Sequence, residues 1–182
     1  MRAVVGLILI DFPTAWADGP DEYLAKGLEL HDRYRNHPLI RTAFAPHAPY
    51  TVSDAPLERV RVLADELDIP VHMHVHETAA EVAEAVAASG QRPLGRLGEL
   101  GLVSPSLLAV HMTQLEPEEI DRLAEANARV VHCAESNLKL ASGIAPVTRY
   151  RAAGVNVAIG TDGAASNNVL DVLAEIQLAA LL

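Results

Sequence analysis

The stretch VHMHVHET, residues 71–78, places a histidine at every second position and closes with Glu77 and Thr78. Alternate side chains of an extended strand lie on one face, so the pattern predicts a strand whose three imidazoles look into one space. His72 is then expected deeper along the strand than His74, and His76 nearer its open end. Such a row is an unusual way to fill an apolar core, and it is well suited to a metal site.

The same kind of strand recurs along the chain, each time followed by a stretch with a helical pattern. The predicted strands are Val4–Ile10, Leu39–Ala45, Pro70–Val75, Leu107–Met112, Arg129–Cys133 and Val155–Gly160. The helical stretches that follow them are Asp21–Tyr34, Ser53–Leu67 (with Ser53 as N-cap), Ala79–Ala88, Pro117–Ala126, Ile144–Ala152 and Val169–Leu182. This alternation predicts parallel strands with helical crossovers, in a doubly wound sheet or a (β/α) barrel.

Polar residues at the carboxyl ends of the predicted strands favour the barrel. These residues are Asp11, His47, His74, Glu77, His111, His132 and Asp162. In parallel α/β folds functional groups gather at that edge, and residues from five or more strands converge only if the sheet curls round on itself. The glycine-rich phosphate loops GxGxxG and GxxxxGK[ST] follow none of the strands, which argues against a nucleotide-phosphate cradle.

Composition narrows the class of protein. The chain has 182 residues, a net charge of −10 and one cysteine. The negative charge argues against a nucleic-acid partner, and a single cysteine fits a reducing, cytoplasmic location. The apolar run Val4–Ile10 is too short to span a membrane, so no membrane partner is expected. We expect one domain over residues 1–182, and the abrupt start and end predict a piece of a longer barrel.

Histidines and a carboxylate from separate strands are ligands that suit Zn²⁺, with Fe²⁺ as an alternative. His74, His111 and Asp162 are the candidates, with Glu77 as a proton carrier beside a metal that lowers the pKa of bound water. The alternatives are histidines that only line a barrel interior and an Asp162 that only caps a turn between Gly160 and Gly163, where the backbone must approach a neighbour closely.

The remaining histidines are expected to have other roles. They are interpreted as packing residues near the rim (His132, with Cys133), as solvated residues (His31 and His37), and as barrel histidines without a ligand role (His72 and His76).

Five segments in this order resemble the amidohydrolase superfamily, in its branch of 5-methylthioadenosine/S-adenosylhomocysteine deaminases and triazine-type hydrolases. The segments are APHAPYTVS (45–53), HMHVHET (72–78), His111, HCAESNLKL (132–140) and GTDGAASNN (160–168). The resemblance covers essentially the whole chain. It implies a (β/α)₈ barrel of which strands 3–8 are present and strands 1–2 and a terminal β-sandwich are absent.

The resemblance also implies the site residues and the reaction. His74 and Asp162 would be metal ligands, Asp162 would also act as base, Glu77 as proton carrier, and His111 beside the metal-bound water. His47, Glu77 and Asp162 would contact the substrate. One divalent ion per subunit, zinc or iron, would serve hydrolytic deamination of an adenine nucleoside at ring carbon C6, releasing ammonia. The partner is thus a small purine nucleoside, and assembly into a homo-oligomer stays open.

Two departures from the family pattern leave alternatives open. The His-x-His pair of the family's first strand has no counterpart here, so the chain alone is expected to be inactive. An arginine that some members use for the substrate is missing from the matching place, Gly6–Phe12. A triazine-type chlorohydrolase or aminohydrolase, or a non-catalytic fragment, therefore stand as alternatives to the nucleoside deaminase.

Overall fold

The computed structural model describes residues 2–182 and consists of six strands and eight helices within them. In chain order they are β1 (Ala3–Leu9), α1 (Pro20–Tyr34), β2 (Ile40–Pro46), α2 (Asp54–Leu67), β3 (Val71–Val75), α3 (Ala79–Ser89), α4 (Pro93–Glu99), β4 (Leu107–His111), α5 (Pro117–Glu125), β5 (Arg129–His132), α6 (Ala134–Lys139), α7 (Val147–Ala152), β6 (Asn156–Ile159) and α8 (Val172–Ala179). All six predicted strand–helix units are confirmed.

The strands form one parallel sheet in the order β1-β2-β3-β4-β5-β6, so each strand pairs with its neighbours in sequence. β3 and β6 are separated by two strands, which would put them about 14 Å apart in a flat sheet. Ligand atoms of His74 in β3 and Asp162 just after β6 nevertheless lie within 4.8 Å of each other. The sheet is therefore curled, as the strand-end residues predicted, and its six parallel strands agree with strands 3–8 of the (β/α)₈ barrel that the resemblance implies.

Helix starts follow local capping chemistry, with one difference from the prediction. The Thr78 side chain accepts a hydrogen bond from the Glu81 amide and starts α3, and Glu116 and Glu119 form a capping box at α5. Ser53 is the N-cap residue of α2 but makes no side-chain cap bond; its amide instead donates to the Asp11 carboxylate at 2.8 Å. Asp11, which follows β1, therefore links the carboxyl end of β1 to the start of α2, the helix that follows β2.

Helices α4 and α6 were not predicted. They have seven and six residues, too short for an apolar period to emerge from the sequence, and α4 contains Gly95 and Gly98, which are poor helix formers. Both are held by tertiary contacts, since Leu94 and Leu97 of α4 are fully buried and Ala134, Ser136 and Asn137 of α6 are buried as well.

The hydrophobic core lies between the sheet and the helices around it. Strand residues such as Leu9, Phe44, Met73, Leu107 and Val130 pack there against buried helix residues. The opposite face of the sheet carries the polar side chains of β3 and so forms the wall of the site. No helix within residues 2–182 is long and apolar enough to cross a membrane.

Candidate metal centre

Three of the predicted site residues come together at the carboxyl edge of the sheet. One ligand atom from each of His74, His111 and Asp162 lies within 4.8 Å of the other two. They arrive from β3, from the end of β4 and from the segment after β6, so three separate crossovers are needed to assemble the cluster.

His74 lies at the centre of a group of imidazoles. Its ring centroid is 5.1 Å from that of His111, 5.4 Å from that of His47 and 6.5 Å from that of His72. Burial, followed by the neighbouring His111 and His47, lowers the pKa of His74 to about 4. The ring is therefore neutral at physiological pH, and a neutral imidazole is the form that binds a metal ion.

Asp162 is held in a left-handed backbone conformation with φ of 60°. Its Oδ2 accepts hydrogen bonds from the hydroxyls of Ser136, at 2.6 Å, and Ser166, at 2.8 Å. Burial raises the pKa of this carboxyl group, but the hydrogen bonds that it accepts, first those from Ser136 and Ser166, together with nearby His111 outweigh burial and leave the pKa below its usual value. The predicted close backbone approach is found at Gly160, where a Cβ would lie 3.0 Å from Val131; at Gly163 the space is open.

Asn137 determines the orientation of His111. The amide Oδ1 lies 2.8 Å from Nδ1 of His111, and both residues are buried. An amide oxygen only accepts, so Nδ1 carries the hydrogen and Nε2 presents its lone pair to the site. Nε2 lies 3.8 Å from Oε2 of Glu77 and 4.0 Å from Oδ2 of Asp162.

Glu77 and His47 border the cluster. The Glu77 side chain is 19% exposed, and its Oε1 accepts a bond from the Ser142 hydroxyl at 3.3 Å. Nδ1 of His47 lies 3.0 Å from the Thr51 hydroxyl, and its ring packs edge-on against Tyr50 at 6.1 Å. The structure thus brings together all five residues predicted for the site: His47, His74, Glu77, His111 and Asp162.

The prediction that three imidazoles share one space is wrong for His76. This residue follows the last residue of β3 and has φ of 51°, which breaks the strand alternation. Its ring is fully buried among the helices instead: Nε2 accepts from the Leu94 amide at 3.0 Å, and Nδ1 lies 3.1 Å from the Gln114 carbonyl oxygen. His76 is therefore a structural residue that fastens α4 to the end of β3.

Four other residues fall outside the cluster. His132 and Cys133 are both 1% exposed, and burial raises the pKa of the Cys133 thiol to about 12, so the thiol is not a ready metal ligand. His31 was expected to be solvated, but it is half-buried and its Nδ1 lies 2.7 Å from the Thr42 hydroxyl. His37 is also half-buried, and its Nδ1 accepts from the Leu39 amide at 3.2 Å.

Sequence reasoning assigned no role to several residues that shape the site. Ser136 and Asn137 lie in the SNLK segment of α6 and contact Asp162 and His111. Thr113 and Ser142 contact the peptide and the carboxylate of Glu77. The sequence signal was weak because serine, threonine and asparagine are also ordinary cap and turn residues.

The donor set fits a divalent cation such as zinc. It combines neutral imidazole nitrogen with an ionised carboxylate, the ligand types of catalytic zinc sites. The second partners fit as well, because a ligand histidine or carboxylate is usually oriented by a further hydrogen bond, as Ser136 and Ser166 provide for Asp162.

The depressed pKa of His74 predicts a pH-dependent stability. The folded pKa of about 4 lies below the usual value of 6.5, so between these values the unfolded chain binds more protons. In the absence of metal, the stabilisation should be complete above pH 6.5 and lost as the pH falls towards 4. When the pH is lowered from 7.5 to 5, we expect the urea concentration at the midpoint of unfolding to decrease. The decrease should be smaller in His74→Gln. An equal loss in the variant would contradict this assignment.

With this geometry established, comparison with known proteins identifies the family. The sequence profile of the amidohydrolase family matches residues 1–182. The chain belongs to the amidohydrolase family. It is 57% identical over 181 residues to the 5-methylthioadenosine/S-adenosylhomocysteine deaminase of Teredinibacter turnerae, a match that covers 100% of this chain and 41% of that protein.

Solved structures of this amidohydrolase's relatives agree. An adenosine deaminase from Xanthomonas campestris with bound zinc superposes with a TM-score of 0.97 at 63% identity, covering 99% of this chain and 41% of that one. The atrazine chlorohydrolase of Arthrobacter aurescens TC1, complexed with zinc, gives a TM-score of 0.86 at 27% identity, covering 94% of this chain and 38% of that one. The chain spans about 41% of the length of the curated relatives that it matches.

Proposed function

We propose that the protein carrying this chain is a zinc-dependent hydrolytic deaminase of an adenine nucleoside. The substrate would be S-adenosylhomocysteine, 5-methylthioadenosine or adenosine, and the products the inosyl compound and ammonia. The observation that carries the proposal is the cluster of His74, His111 and Asp162 within 4.8 Å. Its support comes from a deaminase relative at 57% identity and a zinc-bound adenosine deaminase at 63% identity.

In this proposal His74 and Asp162 hold the ion. A bound zinc ion supplies a Lewis acid that lowers the pKa of water at the site to near 7. The neutral ring of His74 and the ionised carboxylate of Asp162 are both ready to bind without first losing a proton, as their lowered pKa values indicate. One zinc per subunit is the stoichiometry we propose.

The proton transfers fall to the side chains around the ion. Asp162 accepts a proton from the attacking water, and the Nε2 lone pair of His111 accepts a hydrogen bond from the other O–H of that water. Glu77 delivers a proton to ring nitrogen N1 as the ring loses aromaticity at C6. Asp162 then returns its proton to the departing amino group, which leaves as ammonia, and the hydroxyl group on C6 gives its proton to Glu77 as it becomes the carbonyl of the product. Nε2 of His111 lies 3.8 Å from Oε2 of Glu77 and 4.0 Å from Oδ2 of Asp162, distances that one water molecule can bridge by hydrogen bonds.

His47 is proposed as a substrate contact. It follows β2 on the same edge as His74, and its ring lies 5.4 Å from that of His74. The Thr51 hydroxyl, 3.0 Å from Nδ1, orients the ring so that Nε2 is free to meet the purine.

A triazine substrate is the competing candidate, because attack on an electron-poor ring carbon also serves loss of chloride or an amine from a triazine. The relative of that type is 27% identical, against 57% and 63% for the deaminases. The identities therefore favour the nucleoside.

The test is ammonia release by a completed protein, in which this chain replaces the matching 41% of the Xanthomonas campestris relative. We expect ammonia from S-adenosylhomocysteine, methylthioadenosine or adenosine. We expect no ammonia from an aminotriazine and no chloride from a chlorotriazine. The 182-residue chain alone should release none, because its relatives draw more than half of their length from outside the matched region. Turnover of the triazines only would overturn the proposal, and activity of the chain alone would overturn its dependence on the remaining segments.

A further inference from the structure

Two buried side chains form hydrogen bonds with the backbone of Glu77, one at its amide and one at its carbonyl group. Oε2 of Glu81 accepts from the Glu77 amide at 2.7 Å, and the hydroxyl of Thr113 donates to the Glu77 carbonyl oxygen at 2.6 Å. Glu81 and Thr113 are each 8% exposed. Two short hydrogen bonds from buried side chains therefore restrain the backbone of Glu77 at both its amide and its carbonyl group.

Glu81 is used in an unusual way for its position. It is the third residue of α3, where a glutamate commonly reaches back to the amide of the N-cap residue. Here its two oxygens reach further back, to the amides of Glu77 and His76. Burial raises the pKa of the Glu81 carboxyl against the opposing effect of these bonds. The Glu81 carboxylate is therefore buried where its ionised form is disfavoured, and there it accepts hydrogen bonds from the amides of His76 and Glu77.

Thr113 reaches Glu77 through a strained backbone. His111 and Met112, the two residues before it, have φ values of 73° and 51°, which are costly for side chains other than glycine. The hydroxyl of Tyr150, a fully buried residue, donates to the Met112 carbonyl oxygen and holds this conformation. The turn brings the Thr113 amide to within 3.0 Å of the His76 carbonyl oxygen and aims its hydroxyl at Glu77.

The same hydroxyl connects the Glu77 peptide to the loop that holds its carboxylate. Nε2 of Gln114 donates to the Thr113 hydroxyl at 2.9 Å and to the Ser142 carbonyl oxygen at 2.8 Å. The Ser142 hydroxyl in turn donates to Oε1 of Glu77 at 3.3 Å. Oε2 is left facing His111. The arrangement selects which carboxylate oxygen faces the site.

We propose that Thr113 is a positioning residue for Glu77, acting with Glu81 and Ser142 to hold the carboxylate where it transfers its proton. This role rests on the proposed function, in which Glu77 is the proton carrier. Thr113 has one hydroxyl hydrogen, and the Glu77 carbonyl oxygen is its shortest acceptor. Loss of that hydrogen bond would let the Glu77 peptide shift, and displacements of about 1 Å can cost about a hundredfold in rate.

The test uses isosteric changes in the completed protein. Thr113→Val removes the hydroxyl and should lower kcat by about 10- to 100-fold, whereas Thr113→Ser keeps it and should stay within about threefold. Thr42→Val is the matched control, because Thr42 is also buried, at 5% exposed, and its hydroxyl is hydrogen-bonded to His31, outside the site. This variant should leave kcat unchanged. Zinc content should be the same in all of them. A Thr113→Val enzyme with unchanged kcat would overturn the proposal.

A double-mutant cycle separates positioning from general destabilisation. If Thr113 acts through Glu77, Thr113→Val should reduce the remaining activity of Glu77→Gln by less than about twofold. A double mutant whose loss of activity equals the product of the two single-mutant losses would overturn the proposal.

Amide hydrogen exchange at residues 76–78 measures how firmly the Glu77 backbone is held and needs no activity assay. The result is therefore informative even if the proposed substrate is wrong. Exchange should quicken in Thr113→Val and not in Thr42→Val. Equal exchange in the two variants would overturn the proposal, while failure of the wild-type enzyme to deaminate any nucleoside would overturn the proposed function only.

Discussion

Replacing Asp162 by Asn in the completed protein is expected to lower kcat/KM by at least about 10³-fold, the middle of the range of about 10²- to 10⁴-fold for removing a general base. In the proposed function this change removes the carboxylate that would bind the ion and accept the proton, while Ser136 and Ser166 still have an oxygen to which they can donate. Zinc content should fall together with activity. Both are measured on purified protein, by atomic absorption and by ammonia release.

Asp121→Asn is the matched control for this experiment, because Asp121 lies exposed on α5. It should keep both zinc and activity. Full zinc occupancy with unchanged kcat/KM in Asp162→Asn would show that Asp162 is neither ligand nor base, and the assignment would be wrong.

Replacing Glu77 by Gln is expected to lower kcat by about 10²- to 10⁴-fold while zinc content stays unchanged. The amide has nearly the same shape and can still meet the Ser142 hydroxyl through its oxygen, but it has no proton to give to the ring at neutral pH. The contrast with Asp162→Asn is the informative part, since one variant loses metal and activity and the other loses activity alone.

Glu125→Gln, on the exposed end of α5, serves as its control and should behave as wild type. Loss of zinc from Glu77→Gln would instead make Glu77 a ligand, and undiminished kcat would remove it from the chemistry altogether.

The fold could be predicted to a large extent from the sequence, because its main determinant is local. Short apolar runs rich in β-branched residues, such as Val4–Ile10, followed by amphipathic stretches, specify parallel strands with helical crossovers. Polar residues at successive strand ends, such as His47, His111 and Asp162, then required a curled sheet, and the 4.8 Å cluster formed by His74, His111 and Asp162 confirms the curl.

The features that escaped prediction depend on tertiary contacts. His76 keeps the strand period in sequence, yet its backbone turns to φ of 51° and its ring bonds α4 and the loop after β4. Helices α4 and α6 are too short to carry a period. Asn137 and Thr113 act across distances of 26 and 36 residues in sequence, and no local pattern marks such partners.

The most direct test of the account is where zinc lies in the completed protein. Crystals of the zinc-loaded protein, measured on both sides of the zinc absorption edge, should give one strong anomalous peak per subunit, in contact with the side chains of both His74 and Asp162. A single peak bound elsewhere, or one that touches His74 while Asp162 lies out of reach, would contradict the claim that these two residues share an ion.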